Sequence, residues 1–259
     1  MKVYHADAPE KAESLLAPPY SIECQPMNST LVILPTYNEA GNIVRIIGKI
    51  HEVAPDFSIL VVDDNSGDGT AEAVHDLMER DKRVNIMQRP GKLGLGTAYL
   101  AGFRWALERD FEFIFEMDAD FSHNPAHIPG FMEAANDADL VLGSRYIPGG
   151  GVTNWSLIRR LISRGGSLYS RTILRMPYHD LTGGFKLFRR RVLEGIGLEK
   201  VFSEGYSFQI ELTYRAHKQG FRIVETPIIF EERQEGASKM SRKIFLEAVI
   251  RVWQLRFTV

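Results

Sequence analysis

The sequence predicts an α/β fold, a mainly parallel β-sheet with helices on both faces, followed by an amphipathic C-terminal helix. Two observations carry this. Short, continuously apolar runs such as LVILP and SILVV alternate with stretches whose apolar residues recur at helical spacing, the pattern of strands buried between layers of helix. The chain has 259 residues, 44% of them hydrophobic and 25% charged, which is ordinary globular composition and enough length for one substantial core.

The elements follow in order. Leu31 to Pro35 forms the first strand, and Ile43, Ile46, Ile47 and Ile50 line one face of the helix after it. SILVVDD (58–64) is the second strand, Asp68-Gly69-Thr70 opens the next helix, and VNIMQ (84–88) is the third strand. Gly94 to Leu107 reads as a helix, and FEFIFEMD (111–118) and ADLVLGS (138–144) are two further strands with a helix between them. The glycines of Gly91-Lys92-Leu93-Gly94-Leu95-Gly96-Thr97 fit neither the GxxxxGK[ST] spacing nor GxGxxG, whose third glycine would fall at Tyr99. They predict a tight strand-to-helix turn that sets Leu95 and Ala98 against the sheet, with Lys92 a weak phosphate contact.

Bulk properties narrow the function classes. A formal net charge of -2 gives nucleic-acid binding no support. Cys24 is the only cysteine, so neither an intrachain disulfide nor a cysteine metal cluster is available, which suits a reducing compartment. No run approaches the roughly 18 apolar residues of a membrane span. The first residues lack the basic start and apolar stretch of a secretory signal.

In open parallel sheets ligands bind beyond the carboxyl ends of the strands. Those ends carry Pro35-Thr36-Tyr37-Asn38-Glu39, Asp63-Asp64-Asn65-Ser66 and Asp118-Ala119-Asp120. Carboxylates gathered on one edge repel one another unless a cation or a donor-rich ligand sits among them. A magnesium or manganese ion shared by Asp118, Asp120 and a diphosphate answers that need, since hard divalent ions take oxygen ligands. Asp63 and Asp64 offer acceptors for ribose hydroxyls or base N–H groups, while Asp63 and Asp68 read equally well as turn formers or helix caps.

PTYNE, VVDDNSGDGT, KLGLGTAY, MDADFSHNP, GSRY, RRLISRG, DLTGGFKLF and ERQEGASK occur in this order from about Leu31 to Lys239. Together they resemble the catalytic subunits of dolichyl-phosphate (polyprenyl-phosphate) mannosyltransferases of glycosyltransferase family 2. The resemblance implies a GT-A fold and inverting, metal-dependent transfer of mannose from GDP-mannose to a polyprenyl or dolichyl monophosphate. It implies that Pro35, Tyr37, Glu39, Val62 and Asp64 surround the nucleoside, and that Asp118, Ala119 and Asp120 hold diphosphate and metal. Family members often add a metal ligand two residues after the second aspartate; here that residue is Ser122, a poorer ligand. Arg145, Arg189, Arg233 and Lys239 match positions that contact phosphates, and Arg145, Arg159 and Ser163 match partners of the acceptor phosphate. Asp118, Asp120 and Arg145 are therefore the catalytic candidates.

From 140 to 179 the chain has no acidic residue, while Arg145, Arg159, Arg160, Arg164, Arg171 and Arg175 fall there among Trp155, Leu157, Ile158, Leu161 and Ile162. This mixture suits an anionic lipid head group at a membrane surface, or else arginine stems covering an ordinary core. Farther on, Ile244, Phe245, Ala248, Val249, Val252 and Trp253 form one helical stripe flanked by Arg242, Lys243, Arg251 and Arg256. That stripe fits a membrane interface, the parent domain or a small membrane-anchored subunit.

The expected organisation is a flexible extension over 1–29, a catalytic domain over 30–230 with acceptor-side helices at about 154–176, and a mobile flap with the amphipathic helix over 231–259. The expected place is the cytosolic face of a membrane, held peripherally. Alternatives are a UDP-sugar-dependent polyprenyl-phosphate glucosyl- or aminosugar transferase, and a nucleotidyltransferase, whose glycine-rich basic signature PTYNE does not match. A non-catalytic subunit binding nucleotide or lipid phosphate is disfavoured by the intact Asp118 and Asp120. A phosphomonoester has a second pKa of about 6, so the acceptor is expected to attack without a protein base; Asp180 is the nearest candidate for one.

Overall fold

The computed structural model describes residues 29–232 and 242–259. The expected N-terminal extension up to residue 28 and most of the expected flap, with Arg233 and Lys239, lie outside the described residues. In chain order the elements are β1 (Thr30–Thr36), α1 (Ala40–Val53), β2 (Ser58–Asp63), α2 (Thr70–Arg80), β3 (Val84–Gln88), α3 (Leu95–Leu107), β4 (Phe113–Glu116), α4 (Ile128–Ala135) and β5 (Leu140–Ser144). They continue as β6 (Gly151–Val152), α5 (Leu157–Leu174), β7 (Lys186–Arg189), α6 (Arg190–Gly195), α7 (Gly205–Lys218), β8 (Ile223–Pro227), β9 (Ile229–Phe230) and α8 (Arg242–Thr258).

Among the described residues a seven-stranded sheet runs β3-β2-β1-β4-β7-β5-β8, and β6 pairs with β9 apart from it. The pairs β1–β2, β1–β4, β2–β3 and β5–β8 are parallel. The chain turns back across β1, with β2 on one side and β4 on the other, so the loops leaving all three strands meet at one edge. Alternate residues of each strand feed opposite cores. Val32, Leu34, Ile59 and Val61 pack with Ile43, Ile46, Ile47 and Ile50 of α1. Leu31, Ile33, Leu60 and Val62 pack with Tyr99 and Phe103 of α3 and with Phe208 and Leu212 of α7. Two apolar layers are the reason these strands read as unbroken apolar runs.

Several expectations are corrected here. Val62, expected beside the nucleoside, has its side chain fully buried in the second core. Leu95 is exposed, and Gly96, Ala98 and Tyr99 are the buried positions of the first turn of α3. The inward side needs the small residue: a Cβ on Gly96 would stand 3.0 Å from the Phe208 ring. Strand β7, hidden in the DLTGGFKLF motif, runs antiparallel to both β4 and β5. It therefore sets Lys186 opposite Glu116 near the site edge and carries Arg189 to Phe113, at the other edge.

The acceptor-side segment is a single helix, α5, capped where Ser156 Oγ accepts from the Arg159 N–H at 3.3 Å. Helix α8 lies beside it, with Tyr169 Oη donating to the Val249 carbonyl at 3.1 Å. Val252 and Leu255 join Leu174, Met176, Leu181, Ile210 and Tyr214 in a third cluster. The C-terminal helix thus docks on the parent domain, and Trp253, expected on the same stripe as Val252, is half-exposed instead. The stripe residues before Val249 lie outside the described side chains. No helix among the described residues is long and apolar enough to cross a membrane.

Candidate active site

The first two strand-end loops are tied to each other by their own polar residues. Asn38 and Asn65 take the left-handed conformation, φ 61° and 58°, which asparagine tolerates better than most side chains. The Asn38 N–H donates to Ser66 Oγ at 2.8 Å, the Glu39 N–H to Thr70 Oγ1 at 3.0 Å and the Ala40 N–H to Asp68 Oδ2 at 3.0 Å. Asp63 is fully buried, accepting from Thr36 Oγ1 at 2.9 Å, the Ser66 N–H at 2.9 Å and Ser66 Oγ at 2.6 Å. Asp63 and Asp68 are thus turn builders, and the Asp63 carboxylate is buried within its own loop contacts. Asp64 accepts from Arg89 Nε at 2.6 Å and from the Leu93 N–H at 3.1 Å, so it fastens the loop after β3 to the site. Tyr37 is exposed at the rim with Lys92 Nζ 3.8 Å from its ring centre.

The third loop carries the carboxylate pair. Asp118 accepts from Tyr99 Oη at 3.0 Å, and its N–H donates to His123 Nδ1 at 3.0 Å. Burial, then the Asp118 charge, raises the Tyr99 phenol above its ordinary pKa, so it stays a donor. Asp120 Oδ1 accepts from the Ser122 N–H at 3.0 Å and from Ser122 Oγ at 2.6 Å. Between them Phe121 sits at φ 62°, a costly conformation for a non-glycine residue that suits a functional loop. Behind the pair lies a buried chain. Lys186 Nζ donates to Gln209 Oε1 at 2.5 Å and to the Gln209 carbonyl at 2.8 Å, and the Gln209 amide donates to Glu116. Burial raises the Glu116 carboxyl to about 8 and lowers the Lys186 ammonium to about 8.

On the side expected to take the acceptor, Arg145 is buried and clasped by Asp180, with Nε and Nη2 at 2.6 and 2.7 Å from its two oxygens; Nη2 also donates to Thr182 Oγ1 at 2.8 Å. Burial alone would raise the Asp180 carboxyl, but the Arg145 charge and hydrogen bonds hold it below the ordinary carboxylate value. Arg159 pairs with Glu232 at 2.5 Å and lies over the Trp155 ring at 4.2 Å. Ser163 Oγ is 2.6 Å from Tyr146 Oη, which donates to it. Arg145, Tyr146, Gly150, Gly151, Val152, Arg160 and Arg164 enclose a pocket of about 220 Å³.

Residues 31–197 match the model of glycosyl transferase family 2. The chain is 48% identical over 236 residues to the polyprenol monophosphomannose synthase of Mycolicibacterium smegmatis, spanning 90% of this chain and 89% of that protein. It is 46% identical over 222 residues to the undecaprenyl-phosphate mannosyltransferase of Micrococcus luteus, spanning 86% and 91%. The chain belongs to glycosyl transferase family 2. Solved structures agree on the fold of this family 2 glycosyltransferase. Glucosyl-3-phosphoglycerate synthase from Mycobacterium tuberculosis, in complex with UDP, aligns with a TM-score of 0.63 at 16% identity, over 88% of this chain and 79% of that one. A mannosyltransferase from Pyrobaculum calidifontis, in complex with GDP-Man and Mn²⁺, aligns with a TM-score of 0.59 at 18% identity, over 87% and 63%.

The structure of this glycosyltransferase gathers Pro35, Tyr37, Glu39, Asp64, Asp118, Ala119 and Asp120 in the loops or at the strand ends of one edge. It does not bring Arg189 there. That guanidinium donates to the Ala138 carbonyl at 3.0 Å and the Ala135 carbonyl at 2.7 Å, because antiparallel β7 carries it to the far edge. Ser122 is buried with its hydroxyl donated to Asp120, so it holds the Asp120 carboxylate in place. Two carboxylates on a loop suit a divalent ion whose remaining ligands are phosphate oxygens and water. Among the described residues no group of three histidine, cysteine, aspartate or glutamate side chains is placed to hold a metal by itself.

The sequence reading missed Arg89, Tyr99, His123 and the Glu116–Gln209–Lys186 chain. Arg89 immediately follows a strand, so a rule to inspect polar residues at strand ends would have found it. Tyr99 sits on a helix, and nothing in linear spacing brings it to Asp118.

Proposed function

We propose that this enzyme transfers mannose from GDP-mannose to the phosphate of a polyprenyl monophosphate, inverting the anomeric carbon to give a β-mannosyl phosphoryl lipid. The observation that carries the reading is near-full-length similarity to two proteins whose names specify mannose transfer to polyprenyl phosphates. The roles proposed here agree with the geometry. The loops after β1 and β2, with Tyr37 at the rim and Asp64 braced by Arg89, receive the nucleoside. Asp118 and Asp120 would hold Mg²⁺ or Mn²⁺, which would supply positive charge for a departing diphosphate.

The acceptor phosphate is taken on the side of Arg145, Arg159 and Ser163. Arg145 contributes its charge from a fixed position, because Asp180 holds one edge of its guanidinium. Arg159 has to leave Glu232 to reach a phosphate. A phosphomonoester with a second pKa of about 6 is already an anion near neutral pH. Its oxygen attacks the anomeric carbon from the side opposite the diphosphate, the new C–O bond forms as the glycosidic C–O bond breaks, and GDP leaves. No proton has to be removed. Asp180, which lies against the Arg145 guanidinium, is committed to it, which agrees with positioning rather than base catalysis. Because the acceptor lies in a bilayer, the enzyme works at a membrane surface.

The test is transfer of labelled sugar to a polyprenyl phosphate with GDP-mannose and UDP-glucose in parallel. Transfer from GDP-mannose with a β-linked product is expected. Transfer from UDP-glucose alone, or an α-linked product, overturns the donor assignment or the single displacement.

A further inference from the structure

We propose that the indole N–H of Trp155 donates a hydrogen bond to the acceptor phosphate, alongside the contacts proposed for Arg145 and Arg159. This contact presupposes that the acceptor is a polyprenyl monophosphate, and Trp155 lies outside both motifs, GSRY and RRLISRG, that supply the arginines.

The local chain fixes where the indole goes. Val152 of β6 pairs with Phe230 of β9, and the Thr153 N–H donates to the Phe230 carbonyl at 2.9 Å. Asn154 then turns the chain at a φ of 58°, a left-handed conformation that asparagine tolerates, and Ser156 opens α5 as its cap. Trp155 is held between these two turns. Its ring meets the Phe230 ring edge to face, 5.3 Å between centroids at 72°, and the residue is only 8% exposed.

The polar groups against the ring are of one kind. The Arg159 guanidinium lies 4.2 Å and the Arg145 guanidinium 5.5 Å from an indole ring centre. Neither can accept a hydrogen bond, and the Phe230 ring is a weak acceptor at best. Trp155 Nε1 is accordingly buried without a partner among the described residues. The other buried side-chain atoms in that condition are hydroxyls, which can turn or accept, and one Glu116 oxygen; the indole can only donate. Buried tryptophan N–H groups ordinarily find an acceptor, so one left without it points to a ligand.

Two guanidinium groups against one indole draw in an anion, and an acceptor is what the N–H lacks. The chain's own carboxylate does not supply it: Glu232 Oε1 takes Arg159 Nη1 at 2.5 Å and leaves the indole unpaired. A phosphomonoester has three terminal oxygens. One attacks the anomeric carbon while the other two face the guanidinium groups and the indole. In-line displacement depends on the direction of the attacking oxygen, and a donor fixed between two backbone turns supplies direction that arginine charge alone does not. The ring also gives Arg159 a face to rest on as it exchanges Glu232 for phosphate.

The test uses the full chain labelled with ¹⁵N at the tryptophan indoles, the Trp155 signal being identified by its loss in Trp155→Phe. Adding farnesyl phosphate, a short prenyl monophosphate, in the presence of GDP and Mg²⁺ should move the Trp155 N–H proton downfield as it gains a charged acceptor, while Trp105 stays in place. Trp155→Phe keeps an aromatic ring under Arg159 and removes the donor. Its KM for farnesyl phosphate should rise about 10–100-fold, the worth of a hydrogen bond to a charged group, with Mg²⁺-dependent GDP affinity unchanged. An unmoved Trp155 signal at saturating farnesyl phosphate overturns the proposal, as does an unchanged KM in the variant. The same downfield movement on adding GDP-mannose and Mg²⁺ before any acceptor would give the N–H to the donor and overturn it equally. Equal losses of acceptor and GDP binding in Trp155→Phe would make the residue structural and overturn it too. If the chain transfers no mannose while the signal still moves with farnesyl phosphate, the functional reading fails and the phosphate contact stands.

Discussion

Replacing Asp180 by asparagine separates a structural carboxylate from a catalytic base. In the native chain both Asp180 oxygens face the Arg145 guanidinium, at 2.6 and 2.7 Å, and Asp180 Oδ2 also accepts the Arg145 N–H at 3.0 Å. Both side chains are almost wholly buried. The amide keeps the shape but leaves the Arg145 charge buried without its counter-ion, which costs about 3–5 kcal/mol. At about 2–4 °C per kcal/mol for a domain of this size, the midpoint of thermal unfolding should fall by roughly 6–20 °C. Arg145→Met/Asp180→Leu, which removes both charges, should recover most of that loss. Turnover of Asp180→Asn, measured well below its midpoint, should stay within about tenfold of wild type, whereas removal of a true general base costs about 10²–10⁴-fold. Urea denaturation and single-turnover transfer with saturating substrates read the two quantities. Unchanged stability together with a loss of about 10³-fold in turnover would refute both the ion-pair reading and the base-free displacement.

Three further outcomes follow from the donor side. Asp120→Ala should abolish Mn²⁺-dependent GDP binding in calorimetry, because one of the two carboxylates proposed to hold the metal is gone. Tyr99→Phe removes the hydroxyl that orients Asp118 while leaving its ring stacked on Phe208 at 6.3 Å between centroids. It should weaken Mn²⁺-dependent GDP affinity about 2–10-fold, the worth of one net hydrogen bond, and leave metal-free GDP affinity unchanged; equal losses with and without metal would contradict an orienting role. Glu116→Gln tests the buried chain behind the pair. The Glu116 carboxyl is raised to about 8 in the fold from an ordinary 4.5, so the folded state holds the extra proton and its stability contribution drains away as pH rises through that window. The wild-type melting temperature should therefore fall relative to Glu116→Gln between those two pH values, and parallel profiles would show that Glu116 titrates normally.

The sheet and its chemistry were legible because both rest on local pattern. Strands β1 to β5 announced themselves as apolar runs, and Asp118-Ala119-Asp120 was exposed to view by the rule that ligands meet the carboxyl ends of parallel strands. Strand β7 was not legible: four residues, KLFR, lie inside a motif, and strand direction is set by partners distant in sequence. Its reversal is the reason Arg189, which by motif belonged with the phosphates, ends at the opposite edge.

By itself the sequence determined the layered α/β architecture, the family, and the residue types at the donor edge, since periodicity and strand-end chemistry are properties of neighbours in the chain. Tertiary structure alone decided which polar groups remain available. It bound Arg145 to Asp180, Arg159 to Glu232, Asp64 to Arg89 and Asp63 to its own turn. It also turned the leucines of α5 outward. A charged side chain's partner is chosen by distance in space, where burial makes an unpaired charge too costly to keep, and spacing along the chain carries no record of that choice.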